Sequence, residues 1–313
     1  MEKTILITDT HFGVKQNSYT WLISQLDFIY EQLIPYIKSS DDRFNIIHLG
    51  DVFDSRSSIS TMVAAKVVEA FKELRSLVNK FTIIAGNHDY YSPNSKEIDT
   101  LNLVLQNLDI NLVTDDYVVD GDSIYIPWYS WGDETIQDVI DKGGIRYLFA
   151  HTDIINEHPL YKGVDIFSGH IHIPSLKNGL YNLGSCYSIN FADANQDRGF
   201  YVLNDGKLEF IPNTKSIKFW RLYNDDIFND LSMISHRDYV EVYIDKSNLM
   251  SINYQEKLNI LNKEYKNIWI IPQSSDYITE NEIFEGYDMN HIISKLIPEE
   301  LKDKFNKILD KYE

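Results

Sequence analysis

Five apolar runs in this chain each end in side chains able to hold a metal, and that repeated pattern limits the folds open to it. The clusters are Asp9-Thr-His11, Gly50-Asp51-Val-Phe-Asp54, Gly86-Asn87-His88-Asp89, His151 and Gly169-His170-Ile-His172. Imidazole, carboxylate and amide oxygen together suit a divalent first-row cation such as manganese, iron or zinc. A single DxH or HxH pair is weak, although strand alternation does put both side chains on one face. An ordered set of five demands more: a fold in which separate strand ends converge, with glycines permitting the tight turns there. His48 lies within an apolar run and reads as a satisfied core residue. His158, His236 and His291 read as surface residues, and Cys186 has no thiolate neighbour to make a metal site.

The flanking pattern supplies such a fold. TILITD (4–9), NIIHLGD (45–51) and FTIIAGNHD (81–89) read as buried strands ending in polar residues. Between them, apolar spacing predicts helices over 19–37 and 58–78, the latter with Val63, Val67, Phe71 and Leu74 on one face. A helix over 95–108 follows, then strands near 111–114 and 123–127, a helix near 134–141 and a strand over 146–151. VDIFSGHIH (164–172), GLYNLGS and the hairpin-like pair GFYVLND/GKLEFIPN complete a strand-rich second part. Alternating strands and helices followed by strands predict an α/β fold. We expect a two-sheet β-sandwich, one sheet mostly parallel, flanked by helices. Ligands in such folds bind beyond the carboxyl ends of the strands, where the five clusters lie.

The pattern breaks near Lys215. Residues 238–245 alternate as a half-exposed strand, 254–265 fit a helix, and 267–272 are another strand, a small α+β unit. Residues 274–287 read as a linker, and 290–312 as two short amphipathic helices, the second begun by Pro298 with acids behind it. The expected division is therefore 1–215, 216–275 and a linker with helical tail over 276–313.

Charge alone argues against a nucleic-acid ligand. The chain has 313 residues and a formal net charge of −18, whereas proteins that bind nucleic acid unaided are usually basic. An anionic substrate would have to be held locally, through metals, a basic patch or a partner. No run of about 18 apolar residues suggests a membrane span, and the start does not read as a signal peptide. One cysteine fits a reducing cytoplasm.

The order DxH, GDxxD, GNHD, H, GHxH over roughly residues 4–211 resembles that of the calcineurin-like metallophosphoesterases. GDVFDSR, SGHIHIP and NLGSCYSINFADANQDRGFYVL are further similar to the SbcD-type DNA nucleases, phage-encoded recombination endonuclease subunits among them. The resemblance implies two divalent cations, with Mn²⁺ expected. One would take Asp9, His11 and His172, the other Asn87, His151 and His170, with Asp51 bridging. His88 would be the acid that protonates the leaving oxygen, with Asp54 hydrogen-bonded to it. The resemblance also implies a DNA-capping role for 238–272 and docking of the tail on an SbcC-type coiled-coil ATPase. It implies homodimerisation through helices near 58–78 and 95–108, and work in the cytoplasm, the host's if the protein is phage-encoded. Two alternatives stay open: a phosphodiesterase or pyrophosphatase acting on small molecules through the same centre, and a scaffold without catalysis. A protein phosphatase fits less well, since GNHD stands where GNHE would and no arginine directly follows the GDxxD aspartate.

Overall fold

Strand alternation divides the apolar side chains of the central strands between two cores. In a computed structural model that describes residues 2–153, 161–177 and 180–273, Ile5 and Ile7 point to one side of strand Glu2–Ile7 and Leu6 to the other. Ile46 and Ile47, and Ile83 and Ile84, divide in the same way. The outer set packs against Phe28 and Leu33 and against Val67, Phe71 and Leu74 of helix Thr61–Leu77. The inner set meets Tyr125, Phe149 and Phe167 of a second sheet. That sheet repeats the arrangement, turning Ile124, Ile126, Leu148 and Ile166 outward onto Ile136 and Ile140 of helix Thr135–Asp141. The order helix, sheet, sheet, helix thus follows from period-2 apolar runs flanked by helical ones. Each buried Ile, Leu or Phe contributes about 1.5–3 kcal/mol.

Each main sheet has six strands. The first runs Lys207–Pro212, Gly199–Asn204, Glu2–Ile7, Arg43–His48, Lys80–Ile84, Asn111–Val113, and its last four are mutually parallel. The second runs Ser175–Lys177, Leu180–Asn182, Asp165–Gly169, Tyr147–His151, Ser123–Ile126, Val118–Asp120, with a parallel centre. Register sets the site: Ile7 pairs with His48, His48 with Ile83, and Gly169 with His151. The carboxyl ends of these strands therefore finish level with one another, and the polar clusters emerge together.

Several expected elements change shape. The helical run 19–37 is interrupted by a π-helical stretch, Phe28–Leu33, between Tyr19–Asp27 and Ile34–Lys38. Pro35 has no N–H to give, and the ladder widens just before it, with the Ile34 N–H reaching Ile29 O. The helix expected over 95–108 begins only at Thr100. Residues Tyr90–Ser92 and Ser95–Asp99 instead form a hairpin across the Pro93-Asn94 turn, and Asp99 caps the helix by accepting the Asn102 N–H at 2.7 Å.

Beyond Lys215 a three-stranded parallel sheet, Phe219–Tyr223, Tyr239–Asp245 and Asn267–Gln273, carries helix Ile252–Glu264. Val240, Val242 and Ile244 pack on Leu258 and Leu261 in a core of their own. The strand Phe219–Tyr223 was not apparent from the sequence. Trp21 stacks on Phe219 and Tyr239, 5.7 Å from each, and Arg237 pairs with Asp27 at 2.8 Å, tying this unit to helix Tyr19–Asp27. The expected linker and tail helices, with His291, lie outside the described residues, as does His158. No helix among the described residues is long and apolar enough to cross a membrane.

Candidate metal centre

Three strand ends in the first sheet and two in the second supply the site, and its backbone is bent to do so. Asp9, His11, Asp51 and His170 have φ of 51°, 39°, 54° and 82°, a left-handed conformation that costs about 1–3 kcal/mol per non-glycine residue. Main-chain bonds hold them there: Asp9 N–H donates to Gly50 O at 3.1 Å and His11 N–H to Asp51 O at 3.0 Å. Gly50 itself has φ 97°, and a Cβ there would lie 2.4 Å from His151 Nδ1. At Gly86 a Cβ would come within 2.2 Å of Asp51 Oδ1, so only glycine lets the two loops close on the site.

The side chains gather in two groups. In the first, His11 Nε2 and His172 Nε2 stand 3.1 Å apart, with Asp9 Oδ1 3.8 and 3.7 Å from them. In the second, Asn87 Oδ1 lies 3.1 Å from His151 Nε2 and 2.9 Å from His170 Nδ1, and Asp51 Oδ2 lies 3.4 Å from His151 Nε2. The same Asp51 Oδ2 is 3.7 Å from His11 Nε2, which joins the groups. Two donors held by one first-row cation at about 2.0–2.2 Å stand about 3.0–3.6 Å from each other; the His11–His172, Asn87–His151 and Asp51–His151 separations fall in that range, and the others lie within about 0.2 Å of it.

Hydrogen bonding tests the fit independently. His151 Nδ1–H donates to Leu49 O at 2.6 Å, which leaves the Nε2 lone pair facing Asp51 Oδ2 and Asn87 Oδ1. Nε2 and Asp51 Oδ2, 3.4 Å apart, are acceptors whichever way the Asn87 amide is turned, and they repel unless a proton or a cation stands between them. Among the described residues no lysine or arginine pairs with Asp9 or Asp51, both almost fully buried. Left to protons, the imidazoles must carry the charge. Burial opposes charge on His151, but Asp51 outweighs it and raises the ring to about 9. Burial likewise pushes Asp51 up, and the His151 charge overrides it, holding the carboxyl well below the usual range. A buried set that needs this much positive charge and offers imidazole, carboxylate and amide oxygen fits divalent cations.

All nine residues expected at the site are brought together, some in different contacts from those expected. His88 N–H donates to Asp51 Oδ1 at 2.8 Å, and its ring stands edge-on to His11 with centroids 4.9 Å apart. Distance alone groups it with His11 and Asp51 as a possible ligand. Asp54 does bond His88, but through its main-chain oxygen, which accepts from Nδ1 at 2.6 Å. The Asp54 carboxylate turns instead to His11 Nδ1, 3.6 Å away.

Other contributors escaped the sequence reading. Asp89, within GNHD, accepts from the N–H groups of Asp51 (2.9 Å), Val52 (3.1 Å), Phe53 (3.3 Å) and Gly86 (2.9 Å), pinning two ligand loops together. Burial and the Asp51 charge raise its carboxyl to about 7, against those N–H donors. Trp128 lies 4.9 Å from the His170 ring, and buried Arg198 donates to His172 O and to Asp193 at 2.6 Å. Nothing in their local sequence marks these two. His48 is the satisfied core residue expected: Nδ1 accepts the Gly50 N–H at 3.2 Å, so Nε2–H donates to Thr10 Oγ1 at 2.9 Å. His236 is exposed, and buried Cys186 donates to Thr8 O at 3.2 Å, its thiol pushed up to about 12 by burial.

Residues 2–293 match the calcineurin-like phosphoesterase family, and the chain belongs to that family of divalent-metal hydrolases. It is an enzyme acting on phosphate esters. It is also similar to exonuclease subunit 1 of Enterobacteria phage T4, 25% identical over 233 residues that cover 67% of this chain and 68% of that protein.

Proposed function

We propose that this chain is a DNA nuclease that hydrolyses phosphodiesters at a centre of two divalent cations. The observation that carries the reading is Asp51, whose Oδ2 faces His151 at 3.4 Å and His11 at 3.7 Å, so that one carboxylate serves both groups. Asp9, His11 and His172 would hold one cation and Asn87, His151 and His170 the other, with Mn²⁺ the expected metal. Bound there, the cations supply Lewis acidity toward the phosphate and make a water acidic enough to attack. The chain's own groups do the rest. Asp51 and Asp9 set the charge of the centre, and Asn87 contributes a neutral oxygen. With Nδ1 committed to Asp54 O, His88 presents Nε2 as the atom that gives a proton to the departing oxygen. Asp54 positions His88 by its carbonyl, and its carboxylate places negative charge 3.6 Å from His11 Nδ1.

DNA as substrate is supported by the likeness to a phage exonuclease subunit and by the extra unit at 219–273, which a minimal phosphodiesterase has no need of. We assign that unit the capping of DNA. Residues 276–313 would dock on a coiled-coil ATPase that supplies a DNA-binding surface to this acidic chain. Deleting 288–313 should preserve cleavage and abolish co-purification with that ATPase; unchanged association argues against docking. Exposed Met62 and Leu103 on helices Thr61–Leu77 and Thr100–Leu105 favour a homodimer, and a monomer mass by light scattering at micromolar concentration counts against it. The buried free thiol is compatible with work in a reducing cytoplasm.

The substrate test is incubation with Mn²⁺ and labelled linear duplex, hairpin and circular single-stranded DNA, alongside bis-p-nitrophenyl phosphate. Cleavage of DNA supports the reading. Hydrolysis of the small diester with every DNA left intact points to a small-molecule enzyme instead.

A further inference from the structure

The Asn87 carboxamide has two ends, and only one is used by the ligand groups. Its oxygen faces His151 and His170, the orientation a cation shared with them requires. Its NH₂ end then lies 3.3 Å from Nη2 of Arg56. Two donors face each other there, and no acceptor of the described residues is hydrogen-bonded to either. Exchanging the two ends of the amide would satisfy Arg56, but it would turn the NH₂ toward the cation site and remove the only oxygen Asn87 can offer. The arrangement that suits the metal centre therefore leaves a pair of N–H donors at its rim.

Arg56 also stands out in charge. Arg75, Arg146, Arg198, Arg221 and Arg237 each pair with a carboxylate in this acidic chain. Two arginines have no ion pair among the described residues: exposed Arg43, at the amino end of strand Arg43–His48 and so away from the site, and half-buried Arg56, which borders Asn87. The Arg56 loop is set by Ser55, whose Oγ accepts the N–H of Ser58 at 3.1 Å and of Ser57 at 3.4 Å. A guanidinium beside a centre that gathers cations is repelled unless an anion joins them. A tetrahedral oxyanion meets all three needs, since its oxygens accept from Arg56 and Asn87 Nδ2 while others face the cations.

We propose that Arg56, together with the Asn87 NH₂, is the phosphate-binding rim of the site, holding a non-bridging oxygen of the phosphodiester. The assignment rests on the phosphoesterase centre proposed above, not on DNA being the substrate. Arg56 binds substrate and takes no proton.

The test uses the full chain loaded with Mn²⁺ and compares wild type with Arg56→Ala and Arg56→Lys. Three quantities are read: bound metal, affinity for inorganic phosphate by calorimetry, and KM and kcat for bis-p-nitrophenyl phosphate. In Arg56→Ala, metal content should be unchanged, while phosphate affinity falls and KM rises about 10–100-fold, the loss of a charge-assisted bond. Arg56→Lys should recover part of the loss, because an ammonium keeps the charge without the planar fork. Phosphate affinity and KM unchanged in Arg56→Ala would overturn the proposal, and so would loss of metal, which would make Arg56 a structural support. If wild type hydrolyses no diester, the proposed function fails, and the phosphate titration alone decides the role of Arg56.

Discussion

The Nε2 atoms of His11 and His172, 161 residues apart in sequence, face each other across 3.1 Å. Two imidazole nitrogens at that distance share either a proton or a cation, and Asp9 Oδ1 closes the triangle at 3.8 and 3.7 Å. A cation there makes Asp9 the servant of one site, whereas Asp51 reaches toward both. Asp9→Asn should therefore lower occupancy of one metal, and Asp51→Asn should lower both. Anomalous scattering at the manganese edge measures each site separately. Equal patterns of loss in the two variants would contradict the bridging role.

His88 sits close enough to His11 and Asp51 to be a ligand, yet its Nδ1 is engaged by Asp54 O. In the proposed role of proton donor it should be dispensable for metal. His88→Ala should keep both cations by calorimetric titration and lose about 10²–10⁴-fold in cleavage rate. Loss of metal along with activity would make His88 a ligand.

Asp89 touches no cation position but receives four main-chain N–H groups. Asp89→Ala would bury them without an acceptor, at about 1–3 kcal/mol each if nothing relaxes. A loss of at least about 3 kcal/mol in urea unfolding is expected, along with weakened metal binding. Asp89→Asn, which keeps an acceptor oxygen, should cost less. Stability unchanged in Asp89→Ala would show that these loops are held by other means.

His48 carries a pH dependence of definite sign. Burial lowers its ring from 6.5 to about 3, so the folded state excludes the proton that the unfolded state accepts between those values. Stability from the neutral ring is complete above about pH 6.5 and is lost as pH falls toward 3. Between pH 7 and 5 the wild type should lose about 2 kcal/mol more than His48→Gln, which does not titrate. Urea unfolding of metal-free protein at both pH values measures the difference; parallel profiles for the two proteins would refute it.

The metal-capable residues were legible because they stand where apolar strands stop, and parallel strands in register bring such positions level. Asp51 and His151 needed no knowledge of side-chain orientation to be placed on one edge. The features that stayed hidden depend on orientation or on distant partners. Asp54 could be placed beside His88, but not the fact that its carbonyl and carboxylate would serve different histidines. Asp89 looks in sequence like another ligand, and only the four converging N–H groups give it its structural role. Arg198 acts through His172 O from a separate segment. The hairpin at 90–99 is not distinguished from a helix by its sequence, because Lys96, Glu97 and Ile98 fit either period over so short a run. The strand Phe219–Tyr223 alternates imperfectly, with Trp220 and Arg221 both half-buried.

A two-cation centre that cleaves DNA is tested most directly by stripping the purified full chain of metal and titrating it with Mn²⁺. Bound metal and cleavage of an end-labelled linear duplex are followed in the same samples. Cleavage should be absent without metal, rise as the second cation binds to each chain, and vanish on chelation. A chain that fills both sites and leaves the duplex intact, or that cleaves fully with one cation bound, would contradict the two-cation nuclease.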